Sequence, residues 1–146
     1  WVAGLGVAQA GTVTPGDVVW QVGTVPQSLT GVAGHPAEGV KVLSSKSIGN
    51  CVACHEITAL ADVPFQGEVG PLLDGAGDRW TEAELRAILV NSKEVFPDSV
   101  MPSFYRVDGF IRPGKAYTGK AADDSFGPLL TAQQVEDAVA FLMTLD

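Results

Sequence analysis

The chain is poor in the residues from which most metal and redox centres are built. Its 146 residues include only two Cys, two His and two Met, and Lys and Arg together number 9 against 17 Asp and Glu. The net charge of −8 excludes the basic footprint that nucleic acid requires, so no nucleic-acid partner is expected. That acidity suits an encounter with a basic protein patch, because opposite fields speed association; it serves solubility equally well. No membrane span is expected either. Residues 1–10, WVAGLGVAQA, are apolar but far short of the roughly 20 residues a spanning helix needs. Internal repeats and low-complexity runs are absent, and the length suggests one domain. What remains is a chain that is 46% hydrophobic and 18% charged, with ample material for a core.

Of the four Cys and His residues, three fall inside one pentapeptide, Cys51-Val52-Ala53-Cys54-His55. C-x-x-C-H is the attachment sequence of c-type haem. Two thiols at this spacing add across the two vinyl groups of one porphyrin, and the imidazole that follows supplies an axial ligand to the iron. Three other chemistries use similar residues. A redox dithiol wants a strand before it and a helix opening at the first Cys, whereas residues 40–47 read as a helix. A zinc site could draw on Cys51, Cys54 and His35, but a fourth ligand has no obvious source. A disulfide closing so small a ring stabilises little. The expectation is one covalent haem c, bound through Cys51 and Cys54 and ligated by His55.

Taken in order, residues 1–10 read as the tail of a secretory signal, with Ala8-Gln9-Ala10 as an A-x-A-like cleavage site. The mature chain then starts near Gly11 and is exported; an ordered N-terminal extension is the alternative. Residues 11–34, rich in Gly, Val, Thr and Pro, read as an extended arm, with a possible short strand over residues 18–22. The arm either packs on a partner subunit, straps its own core or stays loose. His35-Pro36 opens a helix with Val40, Leu43 and Ile48 on its apolar side and Gly49-Asn50 at its end. His35 is a second candidate ligand, although a polar residue at a helix start is the plainer account.

Residues 56–69 read as a loop that leads into Gly70-Pro71. The proximal imidazole needs its other ring nitrogen anchored by a carbonyl, and that of Pro71 is the candidate; an ordinary turn is the alternative. Arg79 and Trp80 either reach the haem edge or serve the surface. Thr81-Glu82-Ala83-Glu84 is a capping box, and the helix it opens carries Leu85, Ile88 and Leu89 at i, i+3 and i+4 until Asn91-Ser92 and Pro97 end it. Of the two Met, Met101 lies in a loop stiffened by Pro102 and is expected as the second axial ligand, whereas Met143 sits at the border of the last helix's apolar face, a core-filling place. Residues 103–130 form a long loop with Phe104, Tyr105, Phe110, Ile111, Tyr117 and Phe126, which either presents a binding surface or folds over the haem edge. A second capping box, Thr131 to Gln134, opens the last helix. Its stripe of Val135, Ala138, Val139, Leu142 and Leu145 should cross the first helix near Val40 and Leu43.

The order of helix, C-x-x-C-H, G-P-x-L-x-G, capped helix, M-P and terminal helix resembles that of class I cytochromes c over residues 35–146. The resemblance implies an all-α fold of three to five helices around one covalent haem, with residues 11–34 as an added arm and a long loop before the last helix. A narrower resemblance is carried by Met101-Pro102-Ser103-Phe104-Tyr105-Arg106-Val107-Asp108-Gly109-Phe110, by Gly75-Ala76-Gly77-Asp78-Arg79-Trp80-Thr81 and by Asn50 before the pentapeptide. These look like the X subunits of SoxAX complexes. That similarity implies a periplasmic electron-transfer subunit, paired with a haem-bearing SoxA-like chain, in a complex that couples thiosulfate oxidatively to a cysteine of a SoxYZ-like carrier. The catalytic centre is then on the partner, and a soluble cytochrome c takes the electrons onward. A free-standing electron shuttle is the alternative.

Overall fold

In the computed structural model the chain is described over residues 11–113 and 120–146. The signal-like residues 1–10 and Tyr117 lie outside the described residues. Among the described residues four α-helices make the frame: α1 (Pro36–Ser44), α2 (Ala76–Arg79), α3 (Glu82–Val95) and α4 (Ala132–Leu142), joined by loops with short 3-10 turns at Pro15–Asp17, Cys51–Ala53 and Thr58–Leu60. Local chemistry explains where they start. Pro36 stands at the first turn of α1, where its missing N–H costs nothing. Thr81 and Thr131 each accept from a backbone N–H three residues on, and the side chains of Glu84 and Gln134 reach back to the cap residues' own N–H groups. The architecture is all-α, as expected. The possible strand over residues 18–22 does not form: Val22 and Gly23 both take positive φ, and only an isolated bridge joins Gln21 to Thr24.

Helices α1 and α4 touch backbone to backbone. A Cβ on Gly39 would lie 2.2 Å from the Asp137 carbonyl oxygen, and one on Gly34 would lie 2.0 Å from that of Glu136. The closest approach therefore falls at Gly39, beside the expected Val40, and at Gly34 just ahead of the helix. Val42 and Leu43 are the buried apolar residues of α1, while Val40 is half-buried. The expected stripe of Val135, Ala138, Val139 and Leu142 on α4, with Leu145 just past its end, is buried throughout. The buried Asp137 carboxylate accepts from the His35 backbone N–H at 2.9 Å, closing the N-terminus of α1 onto α4.

The arm straps its own core. Val25 and Leu29 are fully buried, the Val25 N–H bonds the Ala83 carbonyl, and the Val13 N–H bonds that of Leu29. Beneath it lies a buried ion pair. Arg86 Nε and Nη2 each meet one carboxylate oxygen of Glu136 at 2.9 Å, Arg86 Nη1 donates to the Val25 carbonyl, and Glu136 Oε1 also accepts from the Leu29 N–H. Every charge and lone pair that matters here is answered, the condition under which a buried pair is tolerated. In the long loop, Phe104 and Tyr105 turn inward and are buried, whereas Phe110 stacks edge-on against Phe126 under Arg106 and Ile111 stands almost fully exposed. The loop thus divides between core and surface.

Truncating Glu136 to Ala leaves the buried Arg86 with only the exposed Glu82 carboxylate, 3.8 Å away, and should cost about 3–5 kcal/mol in guanidinium unfolding; the Arg86→Met/Glu136→Leu double variant should lose much less than the sum of its single changes. Acid should loosen the fold through exposed carboxylates. Asp74 is held below the usual carboxylate range by bonds from the Thr58 hydroxyl and N–H, and Glu84 by those from Thr81. The native state therefore binds fewer protons than the unfolded chain, so stability present above the ordinary carboxylate pKa is lost as pH falls through the lowered values. Melting temperature should decline from about pH 5 to about pH 3, and less steeply in Glu84→Gln, which keeps the cap as Gln134 does.

Candidate functional site

Between the frame and its loops lies a cavity of about 1010 Å³. Leu43 of α1, Leu85, Ile88 and Leu89 of α3 and Leu142 of α4 form its floor, and Trp80, Phe96 and Phe104 add aromatic walls. Cys51, Cys54, His55, Pro71 and Met101 all line it; His35 and Met143 do not. The sequence-predicted site residues, scattered over fifty positions, are thus brought to one space, while the two rival ligands stay outside it.

The pentapeptide is presented by a turn and held by a loop. Asn50 takes a left-handed conformation (φ 50°), one that Asn tolerates better than most residues, and turns the chain into the 3-10 turn at Cys51–Ala53. The His55 N–H bonds the Cys51 carbonyl at 3.0 Å. Residues 67–73 run alongside: the Gly67 N–H reaches the Val52 carbonyl at 2.8 Å, that of Gly70 the Cys54 carbonyl at 2.7 Å, and that of Leu73 the Glu56 carbonyl at 3.0 Å. Two glycines permit this approach. A Cβ on Gly67 would lie 2.1 Å from the Ala53 oxygen, and one on Gly70 would lie 2.3 Å from Cε1 of the His55 ring. Gln66 completes the support, accepting from the Ile57 N–H and donating to the Leu60 carbonyl, both at 2.6 Å.

His55 Nδ1 stands 2.7 Å from the Pro71 carbonyl oxygen. A carbonyl only accepts, so Nδ1 carries the hydrogen and Nε2 of the neutral ring keeps its lone pair. Arg79 lines the cavity and braces the same loop, donating to the carbonyls of Leu72 and Asp74. Trp80 packs edge-on against Phe96, ring centroids 6.0 Å apart. Both residues therefore belong to the cavity wall. Burial pushes the Cys51 thiol up to about 11, the opposite of the activated thiolate that a dithiol oxidoreductase needs.

The Met101 side is built differently. Helix α3 breaks at Asn91 (φ −154°, ψ 93°), the first of the two stops read from the sequence, and then winds one further turn to Val95, just short of the second at Pro97. The carbonyls of Leu89 and Val90 accept from the N–H groups of Phe104 and Tyr105 at 3.0 and 3.2 Å. The Ser103 hydroxyl donates to Asn91 Oδ1 at 2.7 Å, and the Met101 carbonyl accepts from the Ser92 hydroxyl at 2.9 Å and from Lys93 Nζ. The sequence reading missed Gln66, Gly67, Ser92 and Lys93 as parts of the site. Only the glycines left a signal, in a loop whose other residues carry side chains.

The donor set and the space agree with one flat apolar group. The volume sits at the upper end of the roughly 300–1,000 Å³ usual for cofactor sites, two thiols stand at the edge, and a nitrogen and a thioether side chain line the wall. Among the described residues no cluster of three or more His, Cys, Asp or Glu gathers as a metal site independent of such a group.

Comparison with known proteins agrees. No curated protein matches the chain. A chain of the crystal structure of SoxXA from P. pantotrophus is similar to it at 54% sequence identity and a TM-score of 0.87, over 92% of this chain and 98% of that one. The family model for cytochrome c matches residues 36–146, the span from the first residue of α1 to the last residue of the sequence; the chain belongs to the cytochrome c family and carries a single covalent haem c.

Proposed function

We propose that this chain is the electron-transfer subunit of a periplasmic SoxXA-type complex that oxidatively couples thiosulfate to a cysteine of a SoxYZ-like carrier protein. In this reading it pairs with a SoxA-like haem subunit, takes electrons from it and hands them to a soluble cytochrome c. The observation that carries the reading is the 54% identity to a SoxXA chain over nearly the full length of both, joined to a cavity that gathers both cysteines, the His55 imidazole and the Met101 thioether in one space. Among the described residues no helix is long and apolar enough to cross a membrane, in keeping with a periplasmic subunit.

The haem supplies reversible one-electron chemistry. Cys51 and Cys54 tether it, so that it stays with the chain through each redox change. His55 would hold the iron through Nε2, with the ring turned by the Pro71 carbonyl and seated against Gly70. Met101 would hold it through its thioether. A nitrogen and a thioether from the protein would leave no place for substrate at the metal, and thioether ligation would raise the potential so that the chain could accept electrons from a lower-potential donor. Cavity walls of Leu, Ile, Trp and Phe keep water away, and the backbone bonds around the pentapeptide hold the ligand still, so little has to reorganise when charge arrives.

The oxidised protein should show a sulfur-to-iron charge-transfer band in the near infrared. Met101→Ala should abolish it and Met143→Ala should keep it; the reverse pattern moves the ligand to the last helix. Co-expression with a SoxA-like chain should yield a stable heterodimer on size exclusion, with a raised melting temperature for this subunit. A chain that runs as a monomer and gains no stability from such a partner is a free-standing shuttle.

A further inference from the structure

The Met101 segment has no helix of its own to hold it, yet four of its backbone or side-chain groups are gripped by one feature, the break in α3. The Phe104 and Tyr105 N–H groups take the carbonyls of Leu89 and Val90, which the break leaves without helical donors, and the Ser103 hydroxyl takes the Asn91 side chain. Met101 itself is gripped at its carbonyl, by two donors at once: the hydroxyl of Ser92, which is fully buried, and the half-buried ammonium of Lys93. On its other side the segment is open. Val100 is 84% exposed and Pro102 is exposed as well, so neither neighbour packs Met101 down. The Met101 N–H itself donates to the Ser99 hydroxyl at 3.2 Å, within the same loop.

From this we infer that Ser92 and Lys93 are positioning residues for the axial thioether: they pin the Met101 carbonyl to the broken end of α3 and so keep the side chain turned into the cavity. The inference rests on the reading of Met101 as an axial ligand and deepens it. A carbonyl bridged by a hydroxyl and an ammonium is held in direction as well as distance, because the two donors approach from consecutive residues of one turn. The ammonium bond is charge-assisted, the stronger kind. Releasing it lets residues 99–102 swing outward about Pro102 without disturbing Phe104 and Tyr105, which remain buried and bonded. The device therefore acts on opening of the ligand loop and not on unfolding of the domain.

The test uses the oxidised holoprotein and imidazole as the probe, since imidazole reaches the iron only when the thioether leaves. At saturating imidazole the rate of loss of the near-infrared band reports loop opening. Lys93→Gln should raise that rate roughly tenfold or more, as expected for loss of a bond to a charged donor; Ser92→Ala should raise it several-fold, and Lys93→Arg should stay within about twofold of the unmodified protein, with global unfolding midpoints nearly unchanged in all three. Rates within twofold for both Lys93→Gln and Ser92→Ala overturn the inference, and so does a rate increase matched by an equal loss of global stability, which marks an ordinary structural contact. A band absent from the unmodified protein, or retained in Met101→Ala, overturns the ligand assignment and this inference with it.

Discussion

The structure depends on one close approach. Helix α1 and the residues leading into it meet α4 through bare backbone at Gly39 and Gly34, where any Cβ would collide with a carbonyl of α4. Because nothing separates them, the two helices fix Leu43 and Leu142, which face the cavity together. Helix α1 ends at Ser44, where the Ser45 N–H bonds the Lys41 carbonyl. From there the Gly49 N–H returns to the Val42 carbonyl, and the left-handed Asn50 delivers Cys51 to the cavity edge. A wider spacing of the two helices would move the thiols relative to every other wall of the site.

The two sides of that site are held by opposite means. On the cysteine side the chain runs close to itself: Gly67 and Gly70 remove side chains so that two loops can bond along their backbones and a ring can lie flat on a glycine. On the methionine side a helix gives up its regular pattern at Asn91, and the freed carbonyls become a docking edge for residues 101–105. The first arrangement is tight because of what is missing from the side chains, the second because of what is missing from the helix. Each satisfies its backbone groups, as buried segments must.

Much of this was legible because it is local. The pentapeptide, the two capping boxes, the Pro36 start and the stripe of α4 are all written within a few residues of where they act, and the structure has them as read. The carbonyl of Pro71 was found from the chemistry an imidazole needs, not from any pattern. What escaped was non-local. The arm's seat on Arg86 and Glu136 joins three distant segments, and no periodicity announces it. The two stops written for helix α3, Asn91-Ser92 and Pro97, each act: the helix breaks at the first and ends just before the second, and what no pattern announces is that the turn between them supplies Ser92 and Lys93. Residues 18–22 looked like a strand because valines favour one, yet Val22 and Gly23 turn the chain instead. The aromatic loop offered two readings, and it divides between them according to which rings find the core.

The arm's bond from Leu29 to Glu136 spans 107 positions of sequence. Such a link cannot close until the final helix exists, and loop closure over that length comes late compared with neighbouring contacts. The arm therefore takes its seat only once helix α4 has formed, and the pair of Arg86 and Glu136 is closed over by the same step.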